Sequence, residues 1–376
     1  MKSLFNFDEI VEYQIEITSY CNAACPQCPR NLNGYGVNPY MPLCHLSKEI
    51  IDKTFEKNHV QKLRQVFFCG SYGDPIMHPD FLEILRTFRK KHPTLWLYMH
   101  TNGGVHDVDY WSEIANIMDG HGQIDFGIDG LEDTLDLYRR KVKFTKVIEN
   151  ATAFINAGGK AQWNFIVFKH NEHQVESVKK LSKELGFFNT LIRNTGRFFN
   201  HKDVAEMDRW PVYNKKDTIE YYIEPPTNTA FRNRSMKLLP EIKKEYTDLK
   251  TYFDTTEIKC DALSIYGKKV AINAEGLVLP CNFLNHNLYD ARFHDGSLPG
   301  AHELSFKNGV HTTRLFLEKY GLDNLNIKYK SLQEIFKNPF WNDLVDSWTN
   351  ENRLFECAMT CGSKITKVWD QGGSKR

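Results

Sequence analysis

The sequence predicts an α/β protein built on a parallel sheet and followed by a smaller region of mixed structure. Three observations predict it. Six short strand-like runs recur through the first half of the chain, and helical stretches with one apolar face separate them. Nine cysteines gather towards the two ends and leave the 190 residues between Cys69 and Cys260 without one. Strands that alternate with helices imply right-handed crossovers, so the strands lie parallel.

In the first run Val11, Tyr13, Ile15 and Ile17 alternate with Glu12, Gln14 and Glu16, which predicts a strand over Val11–Thr18. The later strand candidates are Gln65–Cys69, Leu95–His100, Ile124–Ile128, Gln162–Phe168 and Thr190–Arg193. Asp80–Lys91 places Phe81, Leu85 and Phe88 on one helical face, and Glu172–Leu185 does the same with Val175, Val178, Leu181 and Leu185. These elements define a core over residues 1–196. Residues 197–255 are charged, carry the turn-like EPPTN at 224–228 and a helical piece Lys237–Tyr252, and read as a bridging segment over the mouth of the sheet. In residues 256–376, Lys269–Asn273 and Leu277–Leu279 flank the turn Ala274-Glu275-Gly276 as a hairpin. An irregular stretch over 285–330, the helix Leu332–Trp348 and a frayed GGSKR tail complete the chain.

A chain of 376 residues suits one large domain and a smaller one. With 48 basic and 47 acidic residues, bulk charge gives no reason to expect nucleic acid or a membrane as partner. The start, MKSLFNFDEIVEY, has no basic n-region or apolar core, and no window reaches the length of a membrane span, so a cytoplasmic location is expected. A reducing compartment keeps thiols free for metal or redox work, and the uneven placement of the cysteines predicts two separate metal sites.

Cys21, Cys25 and Cys28 lie in TSYCNAACPQCPR, at the C-terminal end of the first strand. Three thiolates can hold three irons of a four-iron cluster and leave the fourth open; the alternative is zinc, with Cys44 or His45 as fourth ligand. A second segment, FFCGSYGDPIMHPDF, ends a strand at Gly70 and turns through Gly73-Asp74-Pro75. Thr101-Asn102-Gly103 follows the third strand, Asp125-Phe126-Gly127-Ile128-Asp129-Gly130 spans the end of the fourth, and Tyr138-Arg139-Arg140 comes next. Together these segments resemble the radical SAM family.

The resemblance implies a partial (β/α)6 TIM-like barrel with its site at the C-terminal strand ends. It implies S-adenosylmethionine (SAM) chelated through its amino and carboxylate groups to the open iron, reductive cleavage, and a 5′-deoxyadenosyl radical that takes hydrogen from a substrate. In that reading Gly73 and Asp74 stand at the turn that contacts the SAM amino group, Arg139 pairs with the carboxylate, and Asn102, Asp129 and Asn164 complete the cofactor site. The chain departs from the family at Gln27, where an aromatic residue is common, at Tyr72 and Asp74, which replace glycine and glutamate, and at Gly127, which replaces serine. Asn171 and Arg193 face ribose or substrate, or serve as turn residues; His100, His170 and His173 read as satisfied or exposed, and Arg140 and Lys141 as a solvated face.

Cys260 is followed by fifteen residues and Gly276, then by four residues and Cys281; Cys357 and Cys361 stand three residues apart before Gly362. Four thiolates close a cluster completely, or hold structural zinc. This pattern resembles the auxiliary-cluster extensions called Twitch and SPASM, and with four cysteines the single-cluster Twitch form fits, giving a small α+β auxiliary [4Fe-4S] domain over 256–376. Cys44 stays unassigned, and Cys69 reads as a small core residue.

The resemblance thus implies a radical SAM oxidoreductase or transformase supplied by an electron donor such as flavodoxin or ferredoxin. No residue is assigned as a catalyst, and the substrate is open. The direct entry into the first strand favours a small sugar or cyclitol-type molecule over a peptide side chain. The molybdenum-cofactor cyclase is disfavoured, since its second cluster uses three cysteines. The remaining alternatives are a peptide-modifying maturase and a non-catalytic zinc or iron–sulfur scaffold.

Overall fold

The structure, a computed structural model, describes residues 4–194, 198–200, 205–232, 244–246, 249–264, 267–289, 306–307, 310–349 and 353–363. The core runs β1 (Ile10–Ile15), α1 (Lys48–Thr54), β2 (Gln65–Phe68), α2 (Phe81–Lys91), β3 (Trp96–Thr101), α3 (Val108–Met118), β4 (Gly122–Gly127), α4 (Phe144–Asn156), β5 (Ala161–Val167), α5 (Val175–Glu184) and β6 (Asn189–Asn194). All six strands follow the sequence reading within a few residues and pair in chain order, each parallel to its neighbour. They are the staves of the partial (β/α)6 barrel.

Alternation along the strands separates two faces. Val66, Phe68, Leu97, Met99, Ile124, Phe126, Trp163, Phe165 and Val167 are fully buried under the helices. Phe68 meets Phe81 and Phe88 of α2 at ring distances of 5.5 and 5.9 Å, and Trp111 of α3 meets Phe126 at 5.3 Å. Trp163 also donates its indole N–H to the Ile128 carbonyl at 2.8 Å, so its truncation to alanine would cost about 3–5 kcal/mol. The opposite face carries Gln14, Tyr98, His100, Gln123, Asp125, Gln162 and Asn164, and this face becomes the lumen.

The bridging segment contributes the hairpin β7 (Trp210–Tyr213) and β8 (Ile219–Ile223), which lies against the cysteine loop through a Tyr213 N–H bond to the Asn33 carbonyl. The predicted helix Lys237–Tyr252 falls mostly outside the described residues; Leu249–Thr255 is helical.

The hairpin predicted after residue 268 forms as β9 (Lys268–Ile272) and β10 (Val278–Leu279). Its partner is not legible in the sequence. β9 pairs in parallel with β1, so the sheet has eight strands in the order β10-β9-β1-β2-β3-β4-β5-β6. The C-terminal part adds α6 (Asn282–Leu288), α7 (Leu332–Phe336), α8 (Phe340–Ser347) and α9 (Phe355–Cys361). The single helix expected over Leu332–Trp348 is two, because Pro339 lacks the N–H that a continuing helix needs. Across the break Asn338 Oδ1 accepts from the Phe340 N–H at 2.9 Å, an Asx-type turn into the second helix. Among the described residues no helix is long and apolar enough to cross a membrane.

Candidate active site

The cysteine loop leaves β1 at the C-terminal edge of the barrel. The Ala24 N–H donates to the Arg140 carbonyl at 3.0 Å, the Cys28 N–H to the Cys25 carbonyl at 3.1 Å, and Arg30 Nε to the Ser19 carbonyl at 3.1 Å. These bonds fold the loop over itself, so the three thiols act on one another. Burial pushes the Cys25 thiol up to about 11, with Arg139 opposing and Cys28 and Asp129 adding to the rise. Burial likewise pushes Cys21 up, reinforced by Asp74, Cys25 and Cys28. The Cys21 and Cys25 thiols are desolvated, and the thiolates of all three cysteines would repel one another, so a cationic cluster that binds thiolates would relieve the cost of ionising them. Among the described residues there is no group of three or more His, Cys, Asp or Glu side chains arranged to hold a single metal ion.

Two buried pairs flank these thiols. Asp129, fully buried at the end of β4, accepts from Arg139 Nε at 2.6 Å and from the Ile166 N–H at 2.7 Å. Arg139 then turns Nη1 towards the Cys25 sulfur at 3.9 Å. Burial alone would lower the guanidinium, but Asp129 and Cys25 hold it well above its ordinary value, so it is a fixed cation. Gly127 has a reason to lack a side chain: a Cβ there would overlap the Arg139 guanidinium. The departure from serine is thus coupled to the placement of Arg139.

On the other side Asp74 is consumed internally. Its carboxylate accepts from Thr101 Oγ1 at 2.8 Å, the Asn102 N–H at 2.8 Å, Asn102 Nδ2 at 2.7 Å and the Ile76 N–H at 3.3 Å. Asn102 Nδ2 also reaches Asn22 Oδ1 at 2.9 Å and lies 3.7 Å from the Cys21 sulfur. Asp74 is a positioning residue for Asn102. Gly73 is held so close to the segment leaving β1 that a Cβ would overlap the Thr18 carbonyl.

Sequence reasoning passes over Glu16, which it treats only as the polar phase of the first strand. Glu16 is 4% exposed and accepts from the N–H groups of Tyr72 (2.7 Å) and Gly73 (3.0 Å) and from Asn285 Nδ2 of α6 (2.9 Å). Burial pushes its carboxyl up to about 7 against these bonds. The Gly73 N–H is thereby engaged by the protein itself.

The lumen holds a second network. Asp125 accepts from Tyr98 OH (2.6 Å), Gln123 Nε2 (2.7 Å), Gln162 Nε2 (2.8 Å) and Asn164 Nδ2 (3.1 Å), and His100 Nε2 lies 2.6 Å from Tyr98 OH. Burial works against ionisation here, yet the hydrogen bonds and His100 hold the Asp125 carboxyl down at about 2. Asn164, assigned to the cofactor site, belongs to this network. Cys69 is not a small core residue: Phe68 points to the helices, so Cys69 points to the lumen, with its sulfur 3.7 Å from His100 Nδ1. His100 is satisfied, as expected, and its side chain remains 34% exposed. Asn171 is a turn residue, bonding the carbonyls of Asp129 and Ile166. The Cys44 thiol donates to the Ala274 carbonyl at 3.4 Å, while its backbone is tied to the entry of the cysteine loop, the Cys44 N–H donating to Ser19 Oγ at 2.9 Å and its carbonyl accepting the Ser19 N–H at 3.1 Å.

The four distal cysteines come together. Cys260 precedes a short 3-10 turn, Cys281 starts α6, and Cys357 and Cys361 sit one turn apart on α9. All four line one small cavity of about 20 Å3, with Trp348 and Glu356 in its wall. A thiol hydrogen bond between Cys260 and Cys361 pushes the former up and holds the latter down, and burial pushes Cys281 up to about 11.

The fold has known counterparts. SuiB of Streptococcus suis bound to its precursor peptide SuiA superposes with a TM-score of 0.50 at 13% identity, covering 97% of this chain and 74% of that one. SuiB bound to S-adenosylmethionine gives 0.47 at 14% identity, over 74% of this chain and 61% of SuiB. Native anSMEcpe with bound AdoMet gives 0.48 at 14%, over 94% of this chain and 89% of that one. The chain thus spans less than two thirds of the SAM-bound SuiB chain. No curated protein matches the sequence. Residues 15–182, the stretch that carries the cysteine loop, Asp74, Asn102, Asp129 and Arg139, match the sequence model of the family described as the radical SAM superfamily.

Proposed function

We propose that the protein is a radical SAM enzyme that cleaves S-adenosylmethionine at a four-iron cluster on Cys21, Cys25 and Cys28 and takes hydrogen from a small polar substrate in the lumen. The observation that carries this reading is the grouping of three coupled thiols with the Asp129-locked Arg139 and the Asp74-locked Asn102 at the mouth of a polar barrel. Bound, the cluster and SAM would supply the electron and the 5′-deoxyadenosyl radical.

The chain's own residues bind and orient. Arg139 has one edge held by Asp129 and keeps guanidinium N–H groups for a carboxylate. Asn102 is fixed at four polar contacts and presents no slack beside Cys21. Barrels without a cavity fill their interior with branched apolar side chains. Here Tyr98, His100, Asp125, Gln162 and Asn164 face it instead, which supports a hydroxyl-rich ligand of the sugar or cyclitol type. Asp125 holds His100 in one orientation, as a carboxylate orients a proton-accepting imidazole. We extend the proposal to the C-terminal part: Cys260, Cys281, Cys357 and Cys361 close a second four-iron cluster in a Twitch-like auxiliary unit, a reading supported by their shared cavity.

Anaerobic reconstitution tests both sites. The protein should take up about eight irons, and about four when either cysteine set is changed to alanine. With dithionite and SAM it should release 5′-deoxyadenosine, and only the Cys21/Cys25/Cys28 variant should lose this entirely. Iron uptake without SAM cleavage overturns the enzyme reading, and zinc in the distal site overturns the second cluster.

A further inference from the structure

A cleft of about 570 Å3 opens beside the cysteine loop, between the hairpin Asn31–Leu32/Gly36–Val37, the segment 136–141 and the turn joining β7 to β8. Arg140, Lys141, Lys215 and Lys216 line it against Asp136 and Glu220. In a chain whose 48 basic residues balance 47 acidic ones, this is a local excess of positive charge. The carboxylates are already engaged: Glu220 pairs with Arg140 at 2.8 Å, and Asp136 accepts the Lys141 N–H at 3.2 Å. The three lysines are exposed.

The cleft and the cysteine loop are one piece of structure. The Arg140 carbonyl accepts the Ala24 N–H at 3.0 Å, between Cys21 and Cys25. Gly34 sits so near Pro26, between Cys25 and Cys28, that a Cβ would lie 3.2 Å from its ring. Arg140 Nη1 donates to the Tyr213 carbonyl at 2.9 Å, and the Tyr213 N–H donates to the Asn33 carbonyl at 3.0 Å, which ties the lysine-bearing turn to the same body. The cleft wall and the cysteine loop thus share backbone hydrogen bonds.

We propose that this cleft is the docking surface for a small acidic one-electron carrier protein, which reduces the cluster on Cys21, Cys25 and Cys28. This rests on the function proposed above. One electron leaves the carrier and one enters the cluster; no bond forms or breaks and no proton moves. A free small anion gains little from exposed lysines in water, whereas an acidic protein face engages all of them at once and is steered by their summed field.

The test is stopped-flow bleaching of the reconstituted protein by an acidic flavodoxin in its hydroquinone form. The rate should fall with ionic strength, and the variant K141E/K215E/K216E should be reduced at least about tenfold more slowly, the low end of electrostatic steering. Photoreduced deazariboflavin, small and uncharged, should bleach both proteins equally, and the control K180E/K183E on α5 should behave as the parent. Equal flavodoxin rates for parent and triple variant overturn the docking surface while leaving the enzyme reading intact. So does a loss of flavodoxin reduction caused by orthophosphate beyond its effect on ionic strength, which would make the cleft a phosphate site. Failure of deazariboflavin to bleach either protein removes the electron acceptor and overturns both readings.

Discussion

At the scale of residues, Gly127 shows how one missing side chain serves a neighbour. Its hydrogen leaves the space that the Arg139 guanidinium occupies. Gly127→Ser should therefore push Arg139 off Asp129. The expected outcome is a loss of about 1–3 kcal/mol in chemical denaturation, as for other overpacked sites, together with SAM binding weakened about tenfold in equilibrium dialysis. Glu16 predicts a pH effect. Its carboxyl is raised from 4.5 to about 7 in the fold, so the folded state binds the proton more tightly than the unfolded chain. The stability this gives is complete below pH 4.5 and is lost as pH rises through 7. At about 1.4 kcal/mol per pKa unit the swing is roughly 3 kcal/mol. Stability measured from about pH 4 to 8 should fall by that order relative to Glu16→Gln, whose profile lacks the step; parallel profiles would show that Glu16 is ionised throughout.

At the scale of elements, the alternation of apolar and polar residues is enough to place all six barrel strands and the helices on their outer face. It misleads only about what the polar phase faces. In Gln14, Tyr98, His100, Asp125 and Gln162 that phase looks like the wetted side of a sheet; the curl of the strands into a partial barrel makes it a lumen, and that curl is not a local property. For the same reason the sequence puts Cys69 in the core. The three-cysteine loop and its flanking turns are legible because their chemistry is written in contiguous residues. The partners of Glu16 are not, since Asn285 stands 269 positions away. The pairing of β9 with β1 is equally hidden. It predicts that the C-terminal part is no detachable appendage: truncation after residue 255 strips β1 of a parallel neighbour and exposes an edge. Gel filtration should find the truncated chain aggregated, and a soluble monomer with native-like thermal melting would contradict the shared sheet's importance.

At the scale of the whole molecule, two cysteine-lined sites belong to one continuous sheet-and-helix body, and their connection runs through α6. Cys281 starts that helix at the distal cavity, and Asn285, one turn later, holds Glu16 beneath the turn Ser71–Gly73. The helix is thus a short lever with a thiol at one end and the cofactor-side turn at the other. Filling the distal site should slow deuterium uptake at the Tyr72 and Gly73 amides, even in a protein whose Cys21, Cys25 and Cys28 have been replaced and which cannot hold the first cluster. Assembly would then have an order: the thiols that follow residue 255 set the stiffness of a turn made much earlier in the chain, so the site around Cys21, Cys25 and Cys28 takes its final form only after the distal cysteines have been made and brought together.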